Sequence, residues 1–200
     1  MTPKAGPSAH DAQVALDEEP AGPVDVVVAL GANLGDRLAT LQSAVAALAA
    51  FEGLKVRSLS PVFETAPVGG PPDQPDYLNA VLLARTRLSP LSLLAACQSV
   101  EAEHGRRRVV RWGPRTLDVD IVTYGHLVAA GADLQLPHPR AHERPFVLAP
   151  WLAADPDAVL PSPAGPRPVA HLLAGLAGRP EGEYGAETVR QCPDLRLTLP

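Results

Sequence analysis

The sequence predicts an α+β fold whose elements follow one another in the order strand, helix, strand, strand, helix, strand. The apolar run at residues 26–30 ends at Gly31, which is typical of a strand buried on both faces. Two later segments carry apolar residues at helical spacing, and two strand patterns follow each other between them. This order is that of a ferredoxin-like βαββαβ sandwich, and we expect additional elements C-terminal to it.

The elements follow from local patterns. A Gly/Asn turn after the first strand is followed by the apolar spacing of a helix, at Leu38, Leu41, Val45 and Leu48. Residues 54–63 and 77–88 predict the second and third strands. The Pro/Gly segment between them, residues 66–75, predicts a long loop of the kind that is usually functional.

The second helix has a clear beginning and end. Ser89 is a good N-cap, Pro90 suits the first helical position, and Gly105 is placed to end the helix. Residues 117–124 predict the fourth strand. Beyond Pro137 frequent prolines permit only short helices, one of them near residues 169–176.

These patterns divide the chain into three parts. Residues 1–23 lack an apolar period and predict a disordered leader. Residues 24–155 predict a single domain, and residues 156–200 predict a Pro/Gly-rich extension packed on or trailing it.

Composition limits the classes of function. The net charge of -5 argues against a surface built for nucleic acid or an anionic membrane. No apolar run could span a bilayer, and the first residues do not resemble a signal peptide, so we expect a cytoplasmic protein. Separately, we expect a monomer. Cys97 and Cys192 have no metal-ligand spacing and predict reduced thiols.

Asp118 and Asp120 are the sharpest local feature. A strand turns alternate side chains to the same face, so both carboxylates point one way with Cα atoms roughly 6.6 Å apart. Hard oxygen ligands at this spacing suit Mg²⁺ completed by ATP phosphates, and a two-metal arrangement is open to the pair. The alternative is a solvated strand face. The buried appearance of Leu117, Val119 and Ile121 favours the metal site.

Five arginines without an intervening acid precede the aspartates, at positions 106, 107, 108, 111 and 115. A polyphosphate between them and a magnesium strand would neutralise both sides, whereas charge alone also allows a solvated basic loop or a nucleic-acid patch. The glycines at 105 and 113 suggest a mobile lid. The only lysines are Lys4 and Lys55, which excludes a P-loop kinase.

Other polar residues are less specific. Gln98 and Glu101 lie three apart on the second predicted helix and so share a face. His138 and Arg144 lie in a Pro-interrupted segment, where each is either a phosphate donor or an ordinary exposed side chain.

With these residues in place, the sequence closely resembles the 6-hydroxymethyl-7,8-dihydropterin pyrophosphokinase family over residues 26–151. The resemblance rests on the blocks ALGANLGD (residues 29–36), SPVFETAPVG (60–69), QPDYLNA (74–80), RWGPRTLDVDI (111–121) and LPHPRAHERPFVLAP (136–150). It implies transfer of pyrophosphate from ATP to a pterin hydroxymethyl group, with AMP as the other product, in folate biosynthesis.

The resemblance also assigns residues. It implies that Asp118 and Asp120 hold two magnesium ions, and that Arg106, Arg108 and Arg115 contribute to the transfer. Around ATP it implies Gln98, Glu101, Arg108, Trp112, Arg115, Ile121, His138 and Arg144. For the pterin it implies Thr65, Ala66, Val68, Tyr77, Asn79 and Phe146, with Tyr77 and Phe146 on the two faces of the ring.

Two alternatives belong to other classes. An RNA-recognition module shares the βαββαβ order, but such domains carry aromatic residues on the central strands, where this chain has Val, Ala or Asp. The second alternative is a degenerate relative that binds ATP or pterin without turnover. The intact set of aspartates and arginines argues against it, and a turnover assay separates the two.

Overall fold

The computed structural model describes residues 15–67, 74–104, 116–177 and 189–200. Its centre is an antiparallel sheet of β1 (Val24–Ala32), β2 (Leu54–Leu59), β3 (Phe63–Thr65), β4 (Tyr77–Thr86), β5 (Asp118–Tyr124) and β10 (Val189–Gln191). The strand order is β10-β3-β4-β1-β5, and β2 also pairs with β4. A mixed fold of helices on an antiparallel sheet is therefore confirmed.

Helices α1 (Arg37–Ala50) and α2 (Pro90–Glu103) follow the two predicted helical patterns. Asp36 caps α1 by accepting from Ala39 N at 3.0 Å. Ser89 caps α2 by accepting from Ser92 N at 3.2 Å, and Pro90 occupies the start of the helix as predicted. Gly105, the predicted end of α2, lies outside the described residues.

The second predicted strand, residues 54–63, contains β2 but only the first residue of β3. Pro61, which has no backbone N–H, lies between β2 and β3. Both strands nevertheless pair with β4, so β3 continues the edge formed by β2 after a short interruption. The third strand ends at Thr86, two residues before its predicted end.

Two apolar cores lie on opposite faces of the sheet. On one face Val26, Val28 and Leu30 pack with the buried stripes of α1 and α2. On the other face Val27 and Val81 pack with α3 (Pro145–Ala154) and α4 (Val169–Ala174). Because β1 contributes to both cores, its continuous apolar run has a direct structural cause.

The remaining elements are short. They are β6 (Ala129–Ala130), β7 (Gln135–Leu136), a 3₁₀ turn (Ala141–Glu143), β8 (Val159–Leu160) and β9 (Arg167–Pro168). The peptide bond between Leu136 and Pro137 is cis. None of the helices in the described ranges is long and apolar enough to cross a membrane.

The structure differs from expectation at one end of the chain and agrees with one of two alternatives at the other. Residues 15–17, which were predicted to belong to a disordered leader, are helical, and Leu16 is fully buried in the core beneath α1 and α2. The described parts of the extension after residue 155 pack on the domain, since α4 buries Val169 and Leu172 and β10 joins the sheet. A single buried leucine has no sequence period, which explains why local patterns missed it.

Candidate active site

Asp118 and Asp120 lie on β5, an edge strand of the sheet, and both are partly exposed. The residues between and after them, Val119 and Ile121, are buried in the core on the opposite face, as the alternation of a strand requires. The two carboxylates therefore lie on the face covered by α3 and α4.

The register of the sheet brings Asn79 to the same face. Gly31 of β1 is the direct partner of Asn79 on β4 and of Asp118 on β5. Directly opposed residues share a face, so Asn79, Gly31 and Asp118 form one row across three strands. A Cβ atom on Gly31 would lie 3.1 Å from Asn79 Oδ1, so the glycine leaves the space between the amide and the carboxylate open.

Asp120 is the meeting point of two basic side chains. Arg144 donates from Nη1 to Asp120 Oδ2 at 2.9 Å, and His138 Nε2 lies 3.8 Å from the same oxygen. Arg144 is the N-cap residue of α3, while His138 follows β7 and donates its backbone N–H to Val122 O at 2.9 Å. The β5 edge and the start of α3 thus converge on one carboxylate.

His138 is held as a neutral imidazole. Its Nδ1 accepts from the backbone N–H of Arg140 at 3.1 Å, which leaves the ring proton on Nε2, facing Asp120. Burial lowers the pKa of His138, the neighbouring Arg144 lowers it further, and Asp120 opposes these effects. The ring therefore offers an N–H donor at neutral pH.

One N–H donor of Arg144 is unused in the described part of the chain. Its Nε is buried without a hydrogen-bond partner in the described part of the chain. Its guanidinium carbon lies 5.6 Å from the centroid of the Phe146 ring. A buried guanidinium N–H that lacks an acceptor suits an anionic oxygen of a ligand.

Glu101 and Gln98 of α2 have different environments. Glu101 is 3% exposed and accepts from Val119 N at 2.8 Å, which shows that this N–H points away from β1. Ile121 follows two residues later, so its backbone polar groups also point away from β1 while its side chain lies in the core. Gln98 is exposed, so the two predicted residues of α2 do not form one uniformly accessible face.

The residues expected to contact the pterin lie at the other end of the row. Thr65 and Asn79 are both buried, and Asn79 Nδ2 donates to Thr65 Oγ1 at 2.8 Å. Thr65 pairs directly with Tyr77, which is partly exposed. Ala66, the next residue along the chain, is exposed. Phe146 is partly buried on α3, packed against the core beneath this face.

A cavity of about 360 Å³ lies beside these residues, where β1 and β3 end and β4 begins. Its lining consists of Asn33, Leu34, Gly35, Arg37, Glu64, Pro75 and Asp76. Sequence reasoning assigned no role to any of them, although Asn33 and Glu64 lie within blocks that carry the resemblance. The only local signal was a turn at residues 31–35.

Several predicted site residues lie outside the described residues, and their assignments stay predictions. They are Val68, Arg106, Arg107, Arg108, Arg111, Trp112 and Arg115. No group of three or more His, Cys, Asp or Glu side chains suited to a metal occurs within the described ranges. Asp118 and Asp120 nevertheless suit Mg²⁺, because this ion needs only one or two protein carboxylates when a polyphosphate provides further ligands. One of the two carboxylates, that of Asp120, is already paired with the cation of Arg144.

Comparison with known proteins places this geometry in a family. The sequence model of 7,8-dihydro-6-hydroxymethylpterin-pyrophosphokinase matches residues 27–156. A Mycobacterium bovis protein named 2-amino-4-hydroxy-6-hydroxymethyldihydropteridine pyrophosphokinase is 44% identical over 161 residues, covering 76% of this chain and 83% of the relative. A Bacillus subtilis protein of the same name is 46% identical over 123 residues, covering 62% and 73%.

Longer proteins contain a similar region. The folic acid synthesis protein fol1 of Schizosaccharomyces pombe is 44% identical over 134 residues, which cover 67% of this chain but 18% of that protein. The crystal structure of wild-type Plasmodium falciparum HPPK-DHPS with pterin and p-hydroxybenzoate has a similar fold, with a TM-score of 0.62 at 15% identity. That match covers 88% of this chain and 46% of the other. The chain belongs to the 7,8-dihydro-6-hydroxymethylpterin-pyrophosphokinase family.

Proposed function

We propose that this protein transfers pyrophosphate from ATP to the hydroxymethyl group of 6-hydroxymethyl-7,8-dihydropterin, producing AMP and the pterin diphosphate for folate biosynthesis. The observation that carries the proposal is the row across the sheet in which Asp118 and Asn79 share one face on either side of Gly31. Membership of the family indicates which reaction the protein catalyses. The row places a carboxylate and an amide on one face of the sheet, one at each end of the row.

Magnesium and ATP belong to the β5 end of the row. Asp118 and Asp120 would hold two magnesium ions, which supply charge neutralisation of the polyphosphate. Arg144, whose buried Nε has no hydrogen-bond partner among the described residues, is suited to donate to ATP oxygens, and so is His138 through its Nε2–H. The backbone of Ile121 and the side chain of Gln98 would contact the rest of the nucleotide. Glu101 supports β5 through Val119.

The pterin belongs to the β3 and β4 end. Asn79 and Thr65 are buried and bonded to each other, so they present a fixed set of polar atoms to a flat heterocycle. Tyr77 and Phe146 would stack on the two faces of the ring. Ala66 and Val68 would contribute loop contacts, as the resemblance implies.

In the reaction, the hydroxymethyl oxygen attacks the β-phosphorus in line. A new bond forms between that oxygen and phosphorus, the bond from the β-phosphorus to the α,β-bridging oxygen breaks, and AMP leaves with the electron pair, while the hydroxyl proton is released to solvent. Arg106, Arg108 and Arg115 are predicted to stabilise the charge that develops. Positioning and electrostatics account for most of the rate in such transfers, and we assign no general base.

We further propose that the fold is the ferredoxin-like βαββαβ sandwich with additional C-terminal elements. Counting β2 and β3 as one strand gives the antiparallel order that this topology requires, with α1 and α2 on one face. A monomer in the cytoplasm, with no nucleic-acid or membrane partner, stays a prediction from composition.

Release of AMP from ATP by the purified protein tests the function. The assay is run with and without 6-hydroxymethyl-7,8-dihydropterin, first in magnesium and then in EDTA. We expect AMP that depends on the pterin and disappears in EDTA. Absence of AMP from protein shown to be folded by circular dichroism would contradict the proposal.

A further inference from the structure

The C-terminal strand β10 pairs with β3, the strand that carries Thr65. Val189, Arg190 and Gln191 are direct partners of Thr65, Glu64 and Phe63. Beyond the strand, Cys192 donates its backbone N–H to Val62 O at 2.8 Å. Since β3 has only three residues, pairing on both sides gives it much of its backbone support.

The segment after β10 is also attached to the domain. Leu195 and Leu197 pack against the core beneath α1 and α2. Thr198 exchanges hydrogen bonds with the Gln42 side chain of α1 in both directions, each at 2.9 Å. The strand and its continuation are therefore held at both ends, although they lie beyond the residues that the family model matches.

Three charged side chains connect β10 to β3 and to the residue just before β4. Glu64 of β3 accepts from Arg37 Nη1 through Oε1 at 3.0 Å and from Arg190 Nη2 through Oε2. The same Nη1 of Arg37 also donates to the backbone oxygen of Asp76 at 2.7 Å. The network thus runs from β10 through β3 to the residue that precedes Tyr77.

The direction of the side chains explains what this network can do. Thr65 follows Glu64, so the two side chains point to opposite faces of β3. Thr65 faces Asn79 and the proposed pterin site, while Glu64 faces the first turn of α1, where Arg37 lies. Arg37 and Glu64 therefore hold Thr65 and Tyr77 at their relative positions from behind the sheet.

We propose that Arg37, Glu64 and Arg190 position the residues that bind the pterin. Because Arg190 lies on β10, this strand then contributes to the function of the substrate site. This inference rests on the proposed function. Glu64 is 17% and Arg37 29% exposed by side chain, so their ion pair is partly shielded from water. Arg190 is 71% exposed, so its share of the effect is smaller.

The test compares Arg37→Ala, Glu64→Gln and Arg190→Ala with Arg196→Ala. Arg196 is exposed on the same C-terminal segment and makes no ion pair in the described part of the chain, which makes it the matched control. For each variant, calorimetry measures the Kd of a non-hydrolysable ATP analogue, and then the Kd of the pterin in its presence. Thermal unfolding measures stability.

We expect pterin binding to weaken about tenfold in Arg37→Ala and about threefold in Arg190→Ala, with analogue binding unchanged. In a Glu64→Gln background, Arg190→Ala should have no further effect, because the acceptor charge is already gone. Arg196→Ala should match the wild type in every measurement.

Other outcomes overturn the inference. Unchanged pterin binding in folded Arg37→Ala and Arg190→Ala would show that the network does not position the pterin site. The proposed function would still stand, provided that the wild type forms AMP. Equal weakening of analogue and pterin binding would indicate a general structural role and contradict positioning. A wild type that neither binds the pterin nor forms AMP would overturn the proposed function and this inference with it.

Discussion

The guanidinium of Arg144 donates to Oδ2 of Asp120 over 2.9 Å, so a carboxylate expected to hold magnesium is paired with a cation of the protein. The two side chains come from elements far apart in the chain, the edge strand β5 and the start of α3. A magnesium ion and the guanidinium carry like charge and compete for the same oxygen. If Asp120 holds magnesium as proposed, Arg144 would be released to donate to an ATP oxygen.

Replacement of Arg144 by Gln should separate these two effects. Without the guanidinium, Mn²⁺ should bind tighter to the protein in the absence of nucleotide. The ATP analogue should bind about tenfold weaker, because a charge-assisted hydrogen bond is lost. Electron paramagnetic resonance of Mn²⁺ and calorimetry measure the two affinities. Arg85→Gln, which removes an exposed ion pair with Asp25, is the control and should change neither.

Asp118→Asn and Asp120→Asn should each reduce AMP formation at least about 100-fold, because a neutral amide is a poor magnesium ligand. Both side chains are partly exposed, so the far-ultraviolet circular dichroism spectrum should not change. Steady-state turnover and Mn²⁺ affinity are measured together. Turnover near the wild-type value in either variant would refute the metal assignment.

Gly31→Ala should weaken pterin binding, since the new Cβ would lie 3.1 Å from Asn79 Oδ1 and displace the amide. We expect the KM for the pterin to rise about fivefold and the KM for ATP to stay unchanged. Gly22→Ala is the matched control, because a Cβ there has no atom within 4 Å. Equal kinetics in both variants would show that Asn79 does not depend on the space at Gly31.

The hydrogen bond between Asn79 and Thr65 can be tested by two substitutions of similar size. Thr65→Val removes the acceptor and leaves the buried amide of Asn79 without it, whereas Thr65→Ser keeps the hydroxyl. We expect the KM for the pterin to rise about tenfold in Thr65→Val and far less in Thr65→Ser. If both variants behave alike, the hydroxyl has no part in binding the pterin.

The thiol of Cys97 should not react in the folded protein. Burial, together with the nearby carboxylates of Glu101 and Asp120, raises its pKa from 9.0 to about 12. At pH 8 the thiol is protonated when folded, so a disulfide reagent should titrate it only after unfolding in guanidinium chloride. The free energy of unfolding should also fall as pH rises above 9.0, because the unfolded thiol ionises first. Rapid modification of native Cys97 would contradict this prediction.

Local patterns predicted the central elements because each depends on nearby residues. The apolar run of β1, the Ser89 and Pro90 start of α2 and the alternation around Asp118 and Asp120 are all properties of a few consecutive positions. The same patterns misjudged Leu16 and could not say how the C-terminal segment packs, because those contacts join residues that are distant in sequence.

The sequence by itself determined the family, the class of fold and the two carboxylates of β5, since periodicity and motif blocks are local and survive without coordinates. Tertiary structure alone decided that Arg144 and His138 converge on Asp120, that Gly31 separates Asn79 from Asp118, and that Arg190 reaches Glu64. Such relationships depend on strand register and on how the sheet edges are covered. No spacing along the chain encodes either one directly, because register is set by the packing of both cores together.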